Sequence, residues 1–399
     1  MLPATWILGA LLHLASAAPV SAEASIDVLE QAWGLVRDRL YDDGLRGVDW
    51  ERILRAYRPL AAAARTRAER HAVVNRMLGE LGVSHLALLE AETYRHMQAQ
   101  LLGRRIPTLG LQLVLLRDQF FVWELLEGGP AEAAGIGEGD RLVAIDDVPV
   151  GESDRLLEAG SDPGMQAPPL FGLRASLGEE VRLLVQPRPE AASRREVVVT
   201  ARAMSGVDAW RQSLRFYRVG DRRLAFMHLW YMAPIGLGSA VRDALAGELA
   251  SADGLILDLR GRGGFDSVVE ELLSCFRGGP GRKAPVWRKP VVLLIDERTR
   301  SAKELFAYRF QRSGLGLLVG RRTEGAVLGA HFVRLQDGSY LMYPATALPL
   351  VDGVDLEGRG VVPDVEVDRP IEYAGGEDPV MAAGIAVLVL QIERSESDG

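Results

Sequence analysis

One cysteine, three lysines and six histidines stand among the 399 residues of this chain. The single cysteine, Cys275, excludes an internal disulfide and a cysteine-rich zinc site. Set in the apolar run LLSCF, it reads as a small core residue. The histidines show no HExxH and no paired ligand spacing, so neither a metal nor a cofactor is called for. Acidic residues outnumber basic ones, 54 to 46. A net charge of −8 supplies no concentrated basic face for phosphate contacts, which argues against nucleic-acid binding. Beyond the N-terminal segment no apolar run is long enough to cross a membrane. Internal repeats and low-complexity stretches are absent as well.

What is present is an ordinary globular balance, 48% apolar and 25% charged. The length implies two or three domains. The N-terminus, MLPATWILGALLHLASAAPVSAEAS, is apolar and ends in small residues. Ala15-Ser16-Ala17 and Val20-Ser21-Ala22 both resemble signal-peptidase sites, so residues 1–22 are expected to be a signal peptide and the mature chain periplasmic or secreted. No Lys or Arg precedes the apolar stretch, which leaves a retained anchor as the competing reading. Its roughly 17 apolar residues are short for a span.

Ile26, Leu29, Trp33, Val36 and Leu40 recur at helical spacing, and a second helical pattern runs through ERHAVVNRMLGELG to a stop at Gly82. The apolar segment Val83–Leu89 that follows predicts a strand, interrupted by the polar pair Ser84-His85. Residues 25–102 thus form a mostly helical part. From 103 to 204 the texture is short β-like runs, such as LGLQLVLL and EVRLLVQP, with a short helix and tight turn in GGPAEAAGIGEGD. After Asp221 strands alternate with helices, which predicts an α/β core over 205–395 with a mainly parallel sheet and helices on its faces.

Within that core, PVVLLIDERTRSAKELFAYRF places Ser301 between an apolar strand and a helix. Ser301 and Glu304 satisfy the S-x-x-E capping box. A hydroxyl at a helix N-terminus also sits where backbone N–H groups favour developing negative charge, so cap and nucleophile are compatible readings. A nucleophile needs a base. Lys303, two residues on, would point roughly 200° away on a helix and reads as a solvated first-turn lysine. Among the histidines, His71 and His96 lie in polar helical stretches, and His228 and His331 read as core or surface residues. His85 stands apart, held with Ser84 at a helix-to-strand junction, either as a structural residue or as the base.

Four stretches together, WGLVRDRLYDDGLRGVDW, LGELGVSHLALL, GLILDLRGRGGFD and the Ser301 segment leading into VGRRTEGAVLGAHF and DGVDLEGRGVVPDVEV, resemble the tail-specific, or C-terminal processing, serine peptidases, and among them the tricorn protease core. The resemblance implies a ClpP/crotonase-like catalytic domain, discontinuous in sequence, with a small β-rich PDZ-like domain inserted. Where the lysine-dependent branch carries Thr-x-Gly-Lys, this chain reads Thr323-Glu324-Gly325-Ala326. The tricorn-like branch instead implies His85 as base, Ser84 and Glu357 orienting it, Ser301 as nucleophile, and an oxyanion hole from the backbone of Gly263, Gly264 and Ala302. Two residues depart from the pattern: Arg262 stands where the family often has asparagine, and Lys303 replaces a small residue.

The implied function is a serine endopeptidase acting on unfolded or tail-exposed polypeptides. A noncatalytic binding protein on the same fold, as in the family's retinoid-binding relatives, is the alternative. In the inserted domain, TLGLQL resembles the PDZ carboxylate loop, with Leu109, Gly110, Leu111, Gln112 and Leu113 receiving a free peptide C-terminus and its strand. The competing reading is a rigid module in which Gly110 serves only a turn.

Overall fold

The structure, a computed structural model, describes residues 27–158, 168–277, 286–346 and 353–397. The expected signal segment 1–22 lies outside them. Alternation along the apolar strands builds a two-faced sheet, because successive side chains point to opposite sides. Its order is Arg215–Val219, Arg222–His228, Gly254–Asp258, Val291–Ile295, Leu317–Gly320 and Val365–Glu366. The first pair is antiparallel and the remaining pairs are parallel. Leu255, Leu257, Leu293 and Ile295 face the helices Leu237–Ala246, Val269–Phe276 and Ala302–Arg312. Ile256, Val292 and Leu294 face the other way, onto Val380, Leu388 and Ile392 of the helix Pro379–Ser397. Cys275 is buried in the first of these cores, as its apolar context implies.

The N-terminal helices start where short polar residues satisfy their first N–H groups. Asp27 accepts from Leu29 N–H at 2.9 Å ahead of Val28–Arg39. Thr66 and Glu69 form a complete capping box ahead of Arg67–Gly79. Trp33 and Trp50 then lock two of the helices by donating each indole N–H to the other's carbonyl, at 3.0 and 3.1 Å. These helices bury their apolar faces against a small sheet in which Ala87–Leu89 pairs with Tyr340–Thr346, itself paired with Gly329–Arg334. The α/β part of the molecule is therefore assembled from both ends of the chain. The strand expected from Val83 begins only at Ala87, because Ser84 and His85 form a turn.

Between the two ends, Ile106–Thr108 pairs with Arg202–Met204 where the chain enters and leaves the inserted domain. That domain is one antiparallel sheet ordered Arg195–Thr200, Glu180–Gln186, Arg141–Ile145, Gln119–Leu125, Leu111–Leu116, Leu170–Leu173 and Leu156–Glu158. Its own core gathers Leu109, Leu113, Val122, Ile136, Leu142 and Leu183.

Candidate active site

The parallel strands end in two adjacent turns, and one buried carboxylate ties them together. Asp296, at the end of Val291–Ile295, accepts at Oδ1 from Gly261 N–H at 2.9 Å and from Arg298 N–H at 3.1 Å, with the Thr299 hydroxyl 2.9 Å away. The first turn, Arg260–Gly264, is anchored at its base by Arg260. Its guanidinium reaches Asp258 at 2.6 Å and Asp378 at 2.8 Å. Burial opposes ionisation of Asp258, but Arg260 outweighs it and holds the carboxyl well below the usual range. The second turn delivers Ser301 with φ 55° and ψ −128°, a conformation that side-chain-bearing residues rarely adopt. It is held there by Ser301 N–H donating to Ala326 O at 2.8 Å and to the Glu304 carboxylate at 3.2 Å.

The glycines are required by contact as well as by conformation. A Cβ on Gly263 would lie 2.9 Å from the Ser301 Cβ, and one on Gly264 would lie 2.2 Å from the Met232 carbonyl oxygen. Both glycines line a cavity of about 350 Å³ together with Ser301 and His85. Ala302 opens the Ala302–Arg312 helix, where the first N–H groups have no intrahelical acceptor, and its side chain is fully buried.

His85 comes from the turn after Gly82. Adjacent residues in a strand point to opposite faces, yet here His85 takes φ 56°, and the kink brings both side chains to one side. The Ser84 Oγ lies 2.9 Å from His85 Nδ1. Ser84 also donates to Glu357 twice, from its N–H to Oε1 at 2.8 Å and from its hydroxyl to Oε2 at 3.0 Å. Val327 N–H fixes the same carboxylate at 3.0 Å. Ser84, His85 and Glu357 thus form one chain of contacts, with His85 facing the cavity that Ser301 faces.

Lys303 corrects the sequence reading. It is fully buried, not solvated, and its Nζ donates to the carbonyls of Gly261 at 2.8 Å and Arg260 at 3.2 Å, beneath the glycine turn. Burial pushes its ammonium down to about 7. Glu304 is buried as well, accepting from Thr323, Gly325 and Ala326, and burial raises its carboxyl to about 7. Arg262 stands in the glycine turn at the position that departs from the resembled pattern. It donates to Glu124 of the inserted domain at 2.6 Å, and its guanidinium lies 4.4 Å from the Trp230 ring centre. Sequence reasoning missed Asp296 and Glu124, since neither sits in a motif. An acid directly after a parallel strand was the signal available for Asp296.

The expected carboxylate loop is built differently. Leu109 and Leu113 are buried in the inserted domain's core and line neither cavity, so they offer no pocket surface. Gly110 takes φ 76° and packs against Pro130, while its N–H already donates to the Thr108 hydroxyl at 3.0 Å. The short helix Pro130–Ala133 lies on this loop, with Ala131 N–H bonded to Leu109 O at 2.9 Å. The strand edge expected to receive a peptide is taken at Leu113 and Val114 by the chain's own Leu170–Leu173. Leu111 and Gln112 do face a second cavity of about 720 Å³, and Gln112 also lines the cavity at Ser301.

With this geometry in hand, residues 223–367 match peptidase family S41, residues 27–79 the tricorn protease C1 domain and residues 100–156 the PDZ domain. A putative tricorn protease homolog 2 of Streptomyces coelicolor is 30% identical over 91% of this chain and 32% of its own length. A carboxyl-terminal-processing protease of Picosynechococcus is 26% identical over 87% of this chain and 84% of its own. The crystal structure of the tricorn protease superposes with a TM-score of 0.56 at 24% identity, over 92% of this chain and 36% of that one. A photosystem II D1 C-terminal processing protease gives 0.51 at 21%, over 88% and 97%. The two structures share the α/β fold. The chain spans about a third of the length of the tricorn relative from Streptomyces.

Proposed function

The chain belongs to peptidase family S41, and on that premise we propose that it hydrolyses peptide bonds with Ser301 as nucleophile and His85 as general base. The observation that carries this reading is the Glu357–Ser84–His85 chain ending in the cavity that Ser301 faces. A hydroxyl has one proton. When Ser84 gives it to Glu357, its oxygen accepts from His85 Nδ1–H, which leaves the lone pair on Nε2 to take the Ser301 proton. His85 would then return that proton to the leaving amine. Gly263, Gly264 and Ala302 would offer backbone N–H groups to the oxyanion, and a single such donor is typically worth about 10²- to 10³-fold in rate.

Polypeptides are the substrates of this reading, and unfolded or tail-exposed chains fit a cavity reached beside an inserted domain. The N-terminal sequence supports export to the periplasm or beyond, and no helix among the described residues is long and apolar enough to cross a membrane.

A fluorophosphonate probe tests the reading directly. Labelling should map to Ser301 and should be lost in His85→Ala. An unlabelled, folded protein would instead favour the noncatalytic binding alternative.

A further inference from the structure

Three arginines line the cavity at Ser301, and two of them face carboxylates. Arg262 is paired with Glu124 at 2.6 Å, and Arg300 lies 3.5 Å from Glu324. Arg298, three residues before Ser301, is 8% exposed and makes no ion pair among the described residues. Its Nη2 donates to the Pro168 carbonyl at 2.5 Å, its guanidinium lies 4.7 Å from the Trp123 ring centre, and its Nε has no hydrogen-bond partner. The nearby Asp296 uses Oδ1 to fix backbone N–H groups and forms no ion pair with the guanidinium. Burial pushes the guanidinium below its ordinary value, with Asp296 and Glu297 pulling the other way.

A buried cation with no ion pair among the described residues is costly to hold, and removing such a charge from water is repaid only by a well-placed partner. The planar guanidinium fork matches a carboxylate better than any other common biological anion except phosphate. Leu89, Met97, Phe332 and Met342 supply apolar walls to the same cavity, which exclude water and strengthen any charge pairing made there. The seat that sequence reasoning gave a substrate carboxylate, on the Leu109–Leu113 loop, has its Gly110 N–H engaged and its strand edge partly filled.

We propose that Arg298 binds a carboxylate of the substrate peptide inside the catalytic cavity and selects acidic peptides. This rests on the peptidase reading, since it takes the cavity at Ser301 as the place where peptides bind. The carboxylate is either an Asp or Glu side chain or the peptide's own C-terminus.

The test uses the full chain with Ser301→Ala, so that binding is read without turnover. Four fluorescein-labelled hexapeptides of Ala and Leu are compared by anisotropy: one carrying an internal Glu or Gln, each with a free or an amidated C-terminus. The carboxylate-bearing peptides should bind about 10- to 100-fold tighter than the doubly neutral one, the range of a charge-assisted pair. Glu with an amidated end isolates the side chain, and Gln with a free end isolates the terminus. Arg298→Gln should bring the acid-to-neutral ratio to about one, and Arg298→Lys should restore part of it. Equal binding of all four peptides by the parent overturns the proposal, as does an Arg298→Gln protein that keeps the parent's ratio. Fluorophosphonate labelling on the unmutated Ser301 background separates the two readings. Arg298-dependent binding without labelling sinks the peptidase mechanism alone, and labelling without acid preference sinks only the Arg298 subsite.

Discussion

The Arg262 guanidinium donates to the Glu124 carboxylate at 2.6 Å, joining the glycine turn beside Ser301 to a strand of the inserted domain. Both groups are buried, with side chains 12% and 5% exposed. Burial works against the Glu124 charge and Arg262 outweighs it, so the carboxyl stays below its usual range. Breaking such a pair from one side leaves an uncompensated charge.

Glu124→Gln should therefore destabilise the protein by about 3 to 5 kcal/mol, the usual cost of orphaning a buried partner. Adding Arg262→Asn to that variant should recover much of the loss, because the second change removes the orphaned cation. Urea midpoints of the two single variants and the double variant close the cycle. Simple additivity would show that the pair carries no coupling.

His85→Ala should lower peptide turnover by about 10²- to 10⁴-fold, the span of general-base removal. Glu357→Gln should also lower turnover, and more than Ser84→Ala does. Glu357 holds both Ser84 and Val327 N–H, whereas a water can replace a single hydroxyl. Initial rates on an unfolded protein substrate measure all three, with near-ultraviolet circular dichroism confirming the fold.

Ser301→Ala should be inactive and folded, while Ser301→Gly should be equally inactive but more stable by about 1 kcal/mol. At φ 55° and ψ −128° a side-chain-bearing residue stores on the order of 1 to 3 kcal/mol of strain that glycine relieves, less the entropy glycine loses on folding. Thermal melts of the two variants give the comparison. An alanine variant melting above the glycine variant would remove the strain argument.

Lys303 should make stability rise with pH above neutrality. The unfolded chain keeps this proton up to about 10.5, while burial releases it from the folded chain near 7. In that window the unfolded state binds more protons, so stability grows as pH rises, by up to about 1.4 kcal/mol per pH unit. Glu304 has the opposite sign, since its raised carboxyl favours the folded state at low pH and loses that advantage between about 4.5 and 7. Lys303→Met should flatten the rise between pH 7 and 9. Parallel slopes for parent and variant in urea titrations would count against a depressed lysine.

The strands and the helix that flank the two turns were legible in local pattern. Short continuous apolar runs marked Gly254–Asp258 and Val291–Ile295, and S-x-x-E marked the start of the Ala302–Arg312 helix. The Gly263-Gly264 pair announced a backbone that something must approach closely, and the something is Ser301 and Met232. The three-stranded sheet of Ala87–Leu89, Gly329–Arg334 and Tyr340–Thr346 was not legible, because its strands come from opposite ends of the chain and each is short. Lys303 was misread for a related reason. Helical period gives the direction of a side chain relative to its neighbours, but not what lies in that direction.

By itself the sequence offered a serine at a strand-to-helix turn and a Ser-His pair after a helix stop, and the family resemblance added the glutamate at 357. Only the tertiary structure brought Ser84, His85 and Glu357 into contact and set His85 and Ser301 on one cavity. Ser84 and Glu357 are separated by 273 positions, and Glu124 and Arg262 by 138. It also decided how Ser84 and His85 can touch at all, since one positive φ overrides the strand alternation that would point them apart. The physical reason is common to both. Local propensity is fixed by a few neighbouring residues, whereas burial, pairing of charges and the tolerance of a strained φ are fixed by whatever packs around a residue from distant parts of the chain.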